Sequence, residues 1–226
     1  MAFIAPIFQD GVLIGFSGSC AHKADIGGMN PGSTSANSTE IYHEGLVLPP
    51  VKMTVEGVYD DDLERLILTN SRQPELVRGD IRAQIAATEI GVQRMQDHCV
   101  RFGIETVMDS FAAILKAAAD EMQAAITALP DGQASAEGYM DDDGVEMDKG
   151  VYFAVTITKQ GDDIEFDFSN SQAQAKGPIN LRPSMVEACV FYSLIGCLGH
   201  NMQFNDGMRD VVKFKYAPRT ITNAES

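Results

Sequence analysis

A chain of 226 residues, 45% of them hydrophobic and 22% charged, is long enough to bury a core as one large domain or two small ones. Its formal net charge of −15 works against nucleic acid and anionic membrane surfaces, so neither is expected as a partner. No stretch approaches the twenty apolar residues of a membrane helix and no basic-then-apolar leader opens the chain, so a cytoplasmic protein is expected.

Residues 4–8 and 12–17 are short apolar runs separated by Gln9-Asp10-Gly11, and Asp-Gly supplies the positive backbone angles of a tight hairpin turn. The hairpin leads into residues 20–50, CAHKADIGGMNPGSTSANSTEIYHEGLVLPP, where two of the four histidines (His22, His43) lie near Asp25 and Glu44. Gly27-Gly28 and Pro31-Gly32 make this a loop, whose small residues let the backbone approach a ligand closely. A His and an Asp converging from such a loop suit zinc, manganese or iron. The competing reading is an Asp25 that caps the Gly-Gly turn and a His22 that merely lies nearby, since catalytic zinc takes three protein ligands and only His43 offers a third. Pro49-Pro50 holds residues 46–50 extended, and a strand is expected over 51–58.

Asp60-Asp61-Asp62 places negative charge at the start of a helix over 63–70, and reads as a cap rather than a metal cluster. Pro74 opens a long helix with a seam of Ile81, Ile85, Thr88, Val92, Met95, Cys99 and Phe102, which Gly103 ends. Val107, Phe111, Ile114, Ala118, Met122, Ala125 and Leu129 form a second seam, closed by Pro130-Asp131-Gly132, so an antiparallel helical hairpin is expected. His98 reads as surface. Arg72 and Asp80, close to the start of the long helix, are expected to form a structural ion pair.

Beyond Gly132 the period changes to two. Residues 151–158 and 164–169 alternate apolar and polar around a turn at 159–163, a second hairpin. Asp141-Asp142-Asp143-Gly144 fails as a calcium loop, because Tyr139 and Gly150 would stand where carboxylates are required, and reads as a solvated turn. The polar loop SNSQAQAKGPIN (169–180) could form a substrate-facing wall. A helix over 183–198 shows Val186, Val190 and Leu194 on one face, and Asn205-Asp206-Gly207 turns into a last strand over 211–216. Cys20, Cys99, Cys189 and Cys197 make no C-x-x-C pair, which favours reduced thiols. The fold class is thus α+β (mixed): a β-hairpin and metal loop, a long antiparallel helical hairpin, then antiparallel strands with a further helix. The corresponding regions are 1–58, 59–132 and 133–226.

The chain has no G-x-x-x-x-G-K-[ST] phosphate loop, no G-x-G-x-x-G opening a helix and no G-x-S-x-G elbow. What it does have is a series of blocks: AHKADIGGMNPGS, STEIYHEGLVLPPVKM, LILTNSRQPELVRGDIRAQIAA, DFSNSQAQAKGPIN and FNDGMRDVVKFKYAP. In this order they resemble the hydantoinase B family, which includes subunits of N-methylhydantoinases, one half of 5-oxoprolinase, and subunits of acetone- and acetophenone-type carboxylases. The resemblance implies an internal fragment of a large subunit, with a divalent metal (Zn, Mn or Fe) held partly by His22 and partly by motifs upstream of this chain. It implies for Asp25 a catalytic place beside that metal, as a ligand's neighbour or orienter. ATP, where it is used, would bind a hydantoinase A-type partner subunit. The expected partners are that subunit, the upstream and downstream parts of the chain's own subunit, and a small-molecule cyclic amide. The implied reaction is metal-assisted opening of a hydantoin, 5-oxoproline or lactam; the alternatives are carboxylation of a ketone, or a catalytically silent assembly subunit. Family members more often carry Gln where this chain has His43, so His43 is expected to be dispensable. Ser169-Asn170-Ser171 likewise replaces the family's usual Ser-Gly-Thr.

Overall fold

In the computed structural model, which describes residues 1–198 and 202–225, Asp10 (φ 50°) and Gly11 (φ 80°) make the expected turn. They join β1 (Ala2–Gln9) to β2 (Val12–Cys20) as an antiparallel pair, with a register shift between Ile7 and Phe8. The chain divides into two units, Met1–Asp109 and Ser110–Ser226, so the boundary falls within the stretch expected to be helical.

In the first unit, Asp60 caps α1 (Asp61–Thr69), its carboxylate accepting the N–H groups of Asp62 and Leu63. Pro74 sits at the first position of α2 (Pro74–Phe102), and Gly103 at φ 85° ends it. One face of α2 rests on β1 and β2, closely enough that a Cβ on Gly91 would meet Ser17 Oγ. Ile67, Leu68, Val77 and Ile81 form the buried core, with Phe3, Leu46, Leu48 and Met53 packed against it. The strand expected over 51–58 is instead a miniature hairpin, β3 (Thr54–Val55) and β4 (Val58–Tyr59), because Glu56 (φ 51°) and Gly57 (φ 79°) reverse the chain in its middle.

The second unit takes up α3 (Ile104–Thr127) from Ser110 onward. Its sheet has the order β5-β6-β7-β8, from β5 (Gly132–Met140), β6 (Val151–Gln160), β7 (Asp163–Asp167) and β8 (Lys213–Lys215). Sequence reading misses β5, since Gly-Gln-Ala-Ser-Ala-Glu-Gly-Tyr-Met lacks apolar alternation and lies almost wholly exposed. It is held by pairing with β6 along its full length and by cross-strand contacts such as Ser135 Oγ to Thr156 Oγ1 at 3.0 Å. The strands β5, β6 and β7 pair antiparallel as expected, and β8 joins β7 in parallel, the two connected through α4 (Pro183–Leu198). Ala118, Met122, Ile126, Phe166, Val190 and Phe191 lead the core of this unit.

Ile81 of α2 packs in the core of the first unit, whereas Ala118 and Met122 of α3 pack in the core of the second. Seven-residue spacing shows only that a helix has an apolar stripe; a sheet covers such a stripe as well as another helix does. The architecture is mixed α+β, and among the described residues no helix is long and apolar enough to cross a membrane.

Candidate functional site

The loop that follows β2 is organised by one buried carboxylate. Asp25 is 1% exposed, and its Oδ1 accepts the backbone N–H groups of Gly27 (3.0 Å) and Arg72 (2.9 Å). Its Oδ2 accepts Gly32 N–H (2.9 Å) and Arg72 Nη1 (2.9 Å). Burial works against ionisation, but the N–H groups of Arg72, Gly27 and Gly32 and the Arg72 guanidinium outweigh it, holding the carboxyl well below the ordinary carboxylate range. The guanidinium also donates to the carbonyls of Gly27 (3.3 Å), Asn30 (3.2 Å) and Gly28 (2.7 Å). A single fork therefore ties the Asp25 side chain to three carbonyls of its own loop.

This pairing corrects the expected Arg72–Asp80 ion pair. Asp80 instead lies near Lys23, whose pKa is lowered by burial against the opposing pull of Asp80 and Cys20. Lys23 in turn donates to Gln84 Oε1, and Gln84 Nε2 donates to Ser19 O at 3.0 Å, which fastens the segment between β2 and the loop to α2.

Two further contacts fix the loop against residues 43–46. Met29 N–H donates to His43 O and Leu46 N–H to Ile26 O, both at 2.9 Å. A Cβ on Gly28 would lie 2.6 Å from His43 O, so only glycine admits this approach. His43 is tied to the 3-10 turn Ile41–Glu44: its Nδ1 accepts Thr39 N–H at 3.3 Å and its Nε2 lies 3.1 Å from Glu40 Oε1. His43→Gln should leave the fold unchanged and, in an assembled complex, the metal content too; elemental analysis showing a loss comparable to that of His22→Ala would overturn this.

His22 is exposed on the segment between β2 and Asp25. A metal shell needs donors with free lone pairs, and four N–H donors fill the roughly four acceptor sites of the Asp25 carboxylate. Among the described residues, no group of three His, Cys, Asp or Glu is placed to hold an ion. The donors among the described residues therefore do not fit a complete metal site.

A second carboxylate hub occurs in the other unit, where a solvated turn was expected. Asp143 is buried; Oδ1 accepts Val145 N–H (2.9 Å) and Glu146 N–H (2.6 Å), and Oδ2 accepts Lys176 N–H and Gly177 N–H (both 3.1 Å). The amides of Glu146 and Val145, and less strongly those of Gly177 and Lys176, outweigh burial and lower its pKa to about 2. Asp143 thus pins the 169–180 loop to the turn after β5. Gln172, Gln174 and Lys176 of that loop line a cavity of about 420 Å³ with Glu146 and Lys149. His98, expected at the surface, is exposed and stacks on Phe102 at 5.9 Å. Sequence reasoning missed the roles of Arg72 and Asp143. For Asp143 the available signal was an Asp whose side chain can cap the amide two residues on, as Asp25 does with Gly27 and Asp143 with Val145; none pointed to Arg72.

The family model described as Hydantoinase B/oxoprolinase matches residues 1–226. The chain is 34% identical over 186 residues to the B-type subunit of a putative D-/L-hydantoinase of Pseudomonas sp., covering 80% of this chain and 31% of that protein. It is 22% identical over 221 residues to the acetophenone carboxylase delta subunit of Aromatoleum aromaticum, covering 97% of this chain and 32% of the relative. The crystal structure of an ATP-dependent caprolactamase from Pseudomonas jessenii superposes with a TM-score of 0.89 at 26% identity, over 100% of this chain and 39% of that one. The chain thus spans about a third of the length of each relative.

Proposed function

This chain belongs to the hydantoinase B/oxoprolinase family, and from that premise we propose that it is a segment of a hydantoinase B-type subunit in an enzyme that opens the C–N bond of a cyclic amide, a hydantoin, 5-oxoproline or lactam. The observation that carries this reading is the 34% identity across 80% of the chain to a protein named as a hydantoinase subunit of the B type. The name of the caprolactamase, whose substrate is also a cyclic amide, points the same way.

In this reading His22 is the one donor that the described residues offer to a divalent zinc, manganese or iron ion, the other ligands coming from upstream parts of the subunit. Such an ion, when bound, supplies Lewis-acid polarisation of the amide carbonyl or an activated water. Asp25 acts as a positioning residue: its carboxylate holds Gly27, Gly32 and Arg72, and so fixes the loop that begins three residues after His22. ATP, if consumed, binds a hydantoinase A-type partner subunit in the cytoplasm. The likeness to an acetophenone carboxylase subunit supports a second reading, carboxylation of a ketone.

The test combines the chain with the remaining parts of its subunit and an A-type subunit. Hydantoin, 5-oxoproline and caprolactam are assayed for ring opening, and acetone and acetophenone for carboxylation, with and without ATP and divalent metal. Ring opening by the complex, and none by the 226-residue chain alone, is the expected result. Carboxylation without ring opening, or ring opening by the chain alone, would overturn the proposal. His22→Ala should strip most of the metal from the complex without altering its assembly, and unchanged metal content would sink the role given to His22.

A further inference from the structure

The 169–180 loop is fastened to β6 by side chains that stand in for a neighbouring strand. Ser171 Oγ accepts the Ala154 N–H and donates to the Ala154 carbonyl, both at 3.2 Å. Gln172 Oε1 accepts the Tyr152 N–H at 2.8 Å, and the Gln172 N–H donates to the Tyr152 carbonyl at 3.1 Å. Asp143 holds Lys176 and Gly177 further along, so the loop wall of the cavity of about 420 Å³ is fixed at both ends. The same carboxylate places the opposite wall. Asp143 Oδ1 accepts the Glu146 N–H, and the Glu146 carboxylate spans two ammonium groups, Lys176 at 2.7 Å on Oε1 and Lys149 at 3.1 Å on Oε2.

Two cations thus converge on one cavity in a chain of net charge −15. Glu146 and Asp143 balance them in formal charge, but the hydrogen-bonding capacity is not balanced. Four amides fill the acceptor sites of Asp143, and Gln172 spends its oxygen on Tyr152. Gln174 exchanges both halves of its amide with the Glu225 backbone. What is left is chiefly donors: the remaining N–H groups of the two ammoniums, and Gln172 Nε2, which has no partner among the described residues. Val151, Ala173 and Ala175 supply the apolar part of the lining.

We infer that this cavity binds a small aliphatic monocarboxylate, which takes hydrogen bonds from Lys149, Lys176 and Gln172 and lays its short chain on Val151, Ala173 and Ala175. Size agrees, since small-molecule sites run from about 300 to 1,000 Å³. Charge selects a monoanion, because beside Glu146 the dianion of phosphate meets twice the repulsion that a carboxylate does. A neutral amide is excluded by its own NH2 group, which would face donors. Hydrolytic opening of a cyclic amide adds water across the C–N bond and leaves a carboxylate and a freed nitrogen group, so the ligand is of the class that such an enzyme releases. That link rests on the functional reading above; the site itself does not.

Equilibrium dialysis of radiolabelled hexanoate against the complete subunit that carries this chain tests the site, with hexanamide and inorganic phosphate as competitors. Hexanoate should bind, and neither competitor should displace it at equal concentration. Lys149→Met combined with Lys176→Met removes two exposed ammoniums and should weaken binding about tenfold or more. Gln172→Glu keeps an oxygen for the Tyr152 N–H but puts a negative oxygen where the donor was. It should weaken binding as much and leave the circular dichroism unchanged. No binding by the wild type would overturn the inference, and so would equal binding by wild type and variants, which places hexanoate elsewhere on the subunit. Displacement by phosphate or by hexanamide would overturn the ligand class. Hexanoate bound with this pattern in a complex that opens no cyclic amide would uphold the site and sink the functional reading; ring opening without hexanoate binding would do the reverse.

Discussion

Asp25→Ala should destabilise the first unit by about 3 kcal/mol, since each donor left without its buried acceptor costs about 1–3 kcal/mol, while the Arg72 side chain, 43% exposed, can turn to water. The alanine leaves the amides of Gly27, Gly32 and Arg72 without an acceptor, and the Arg72 guanidinium without its anion. Asp25→Asn keeps the size but turns a donor toward Gly32 and Arg72, or toward Gly27 and Arg72, so it should also fail. Hydrogen exchange of those amides, read beside a denaturant titration, checks both variants; unchanged protection would show that the carboxylate does not hold the loop. The pH dependence has a definite sign. The folded carboxyl ionises below its unfolded value of about 3.9, so its contribution is complete above that value and is lost as pH falls toward the lowered folded pKa. Amide protection in this loop should therefore decline on acidification in the native chain and show no such carboxyl-dependent step in Asp25→Asn.

Gly177→Ala should be the most damaging small change in the second unit. The added Cβ would lie 1.6 Å from the backbone carbonyl oxygen of Asp143, and a backbone atom cannot swing aside as a flexible side-chain end can. Either the 169–180 loop or the turn after β5 must move, and the bonds from Lys176 and Gly177 to the Asp143 carboxylate go with it. A loss on the order of 3 kcal/mol is expected, at the upper end for overpacking. Gly79→Ala on α2 is the control: nothing lies within 4 Å of its Cβ, and alanine should gain up to about 1 kcal/mol in a helix interior. Chemical denaturation of both variants checks the contrast, and equal midpoints would remove the argument for close packing at Gly177.

Local features were legible wherever a few neighbouring residues decide the backbone. Asp10-Gly11 had to turn, Asp60 to cap and Gly103 to stop a helix, because each acts through its own φ, ψ or side-chain reach. β5 was not legible, since its small and polar residues carry no apolar period and its strand exists through its partner β6. The first half of the candidate site was legible in the same sense: His22 and Asp25 stand out beside Gly27-Gly28. Its second half was not, because Arg72 lies 47 residues beyond Asp25 and nothing in the spacing joins them.

By itself the sequence determined the mixed α+β class, the hairpin, α1, α2 and α4, and, through blocks spread from residue 21 to residue 218, membership of the family. These rest on short-range backbone preferences and on the order of motifs, both of which are carried by the linear chain. Only the tertiary structure decided what each apolar stripe packs on, which cation neutralises Asp25, and that Asp143 is buried rather than solvated. The physical reason is common to all three. A stripe or a carboxylate specifies the kind of partner it needs, but many residues meet that need, and only the folded chain brings one of them into contact, at 2.9 Å for Asp25 and 3.1 Å for Asp143, and excludes the water that would otherwise take its place.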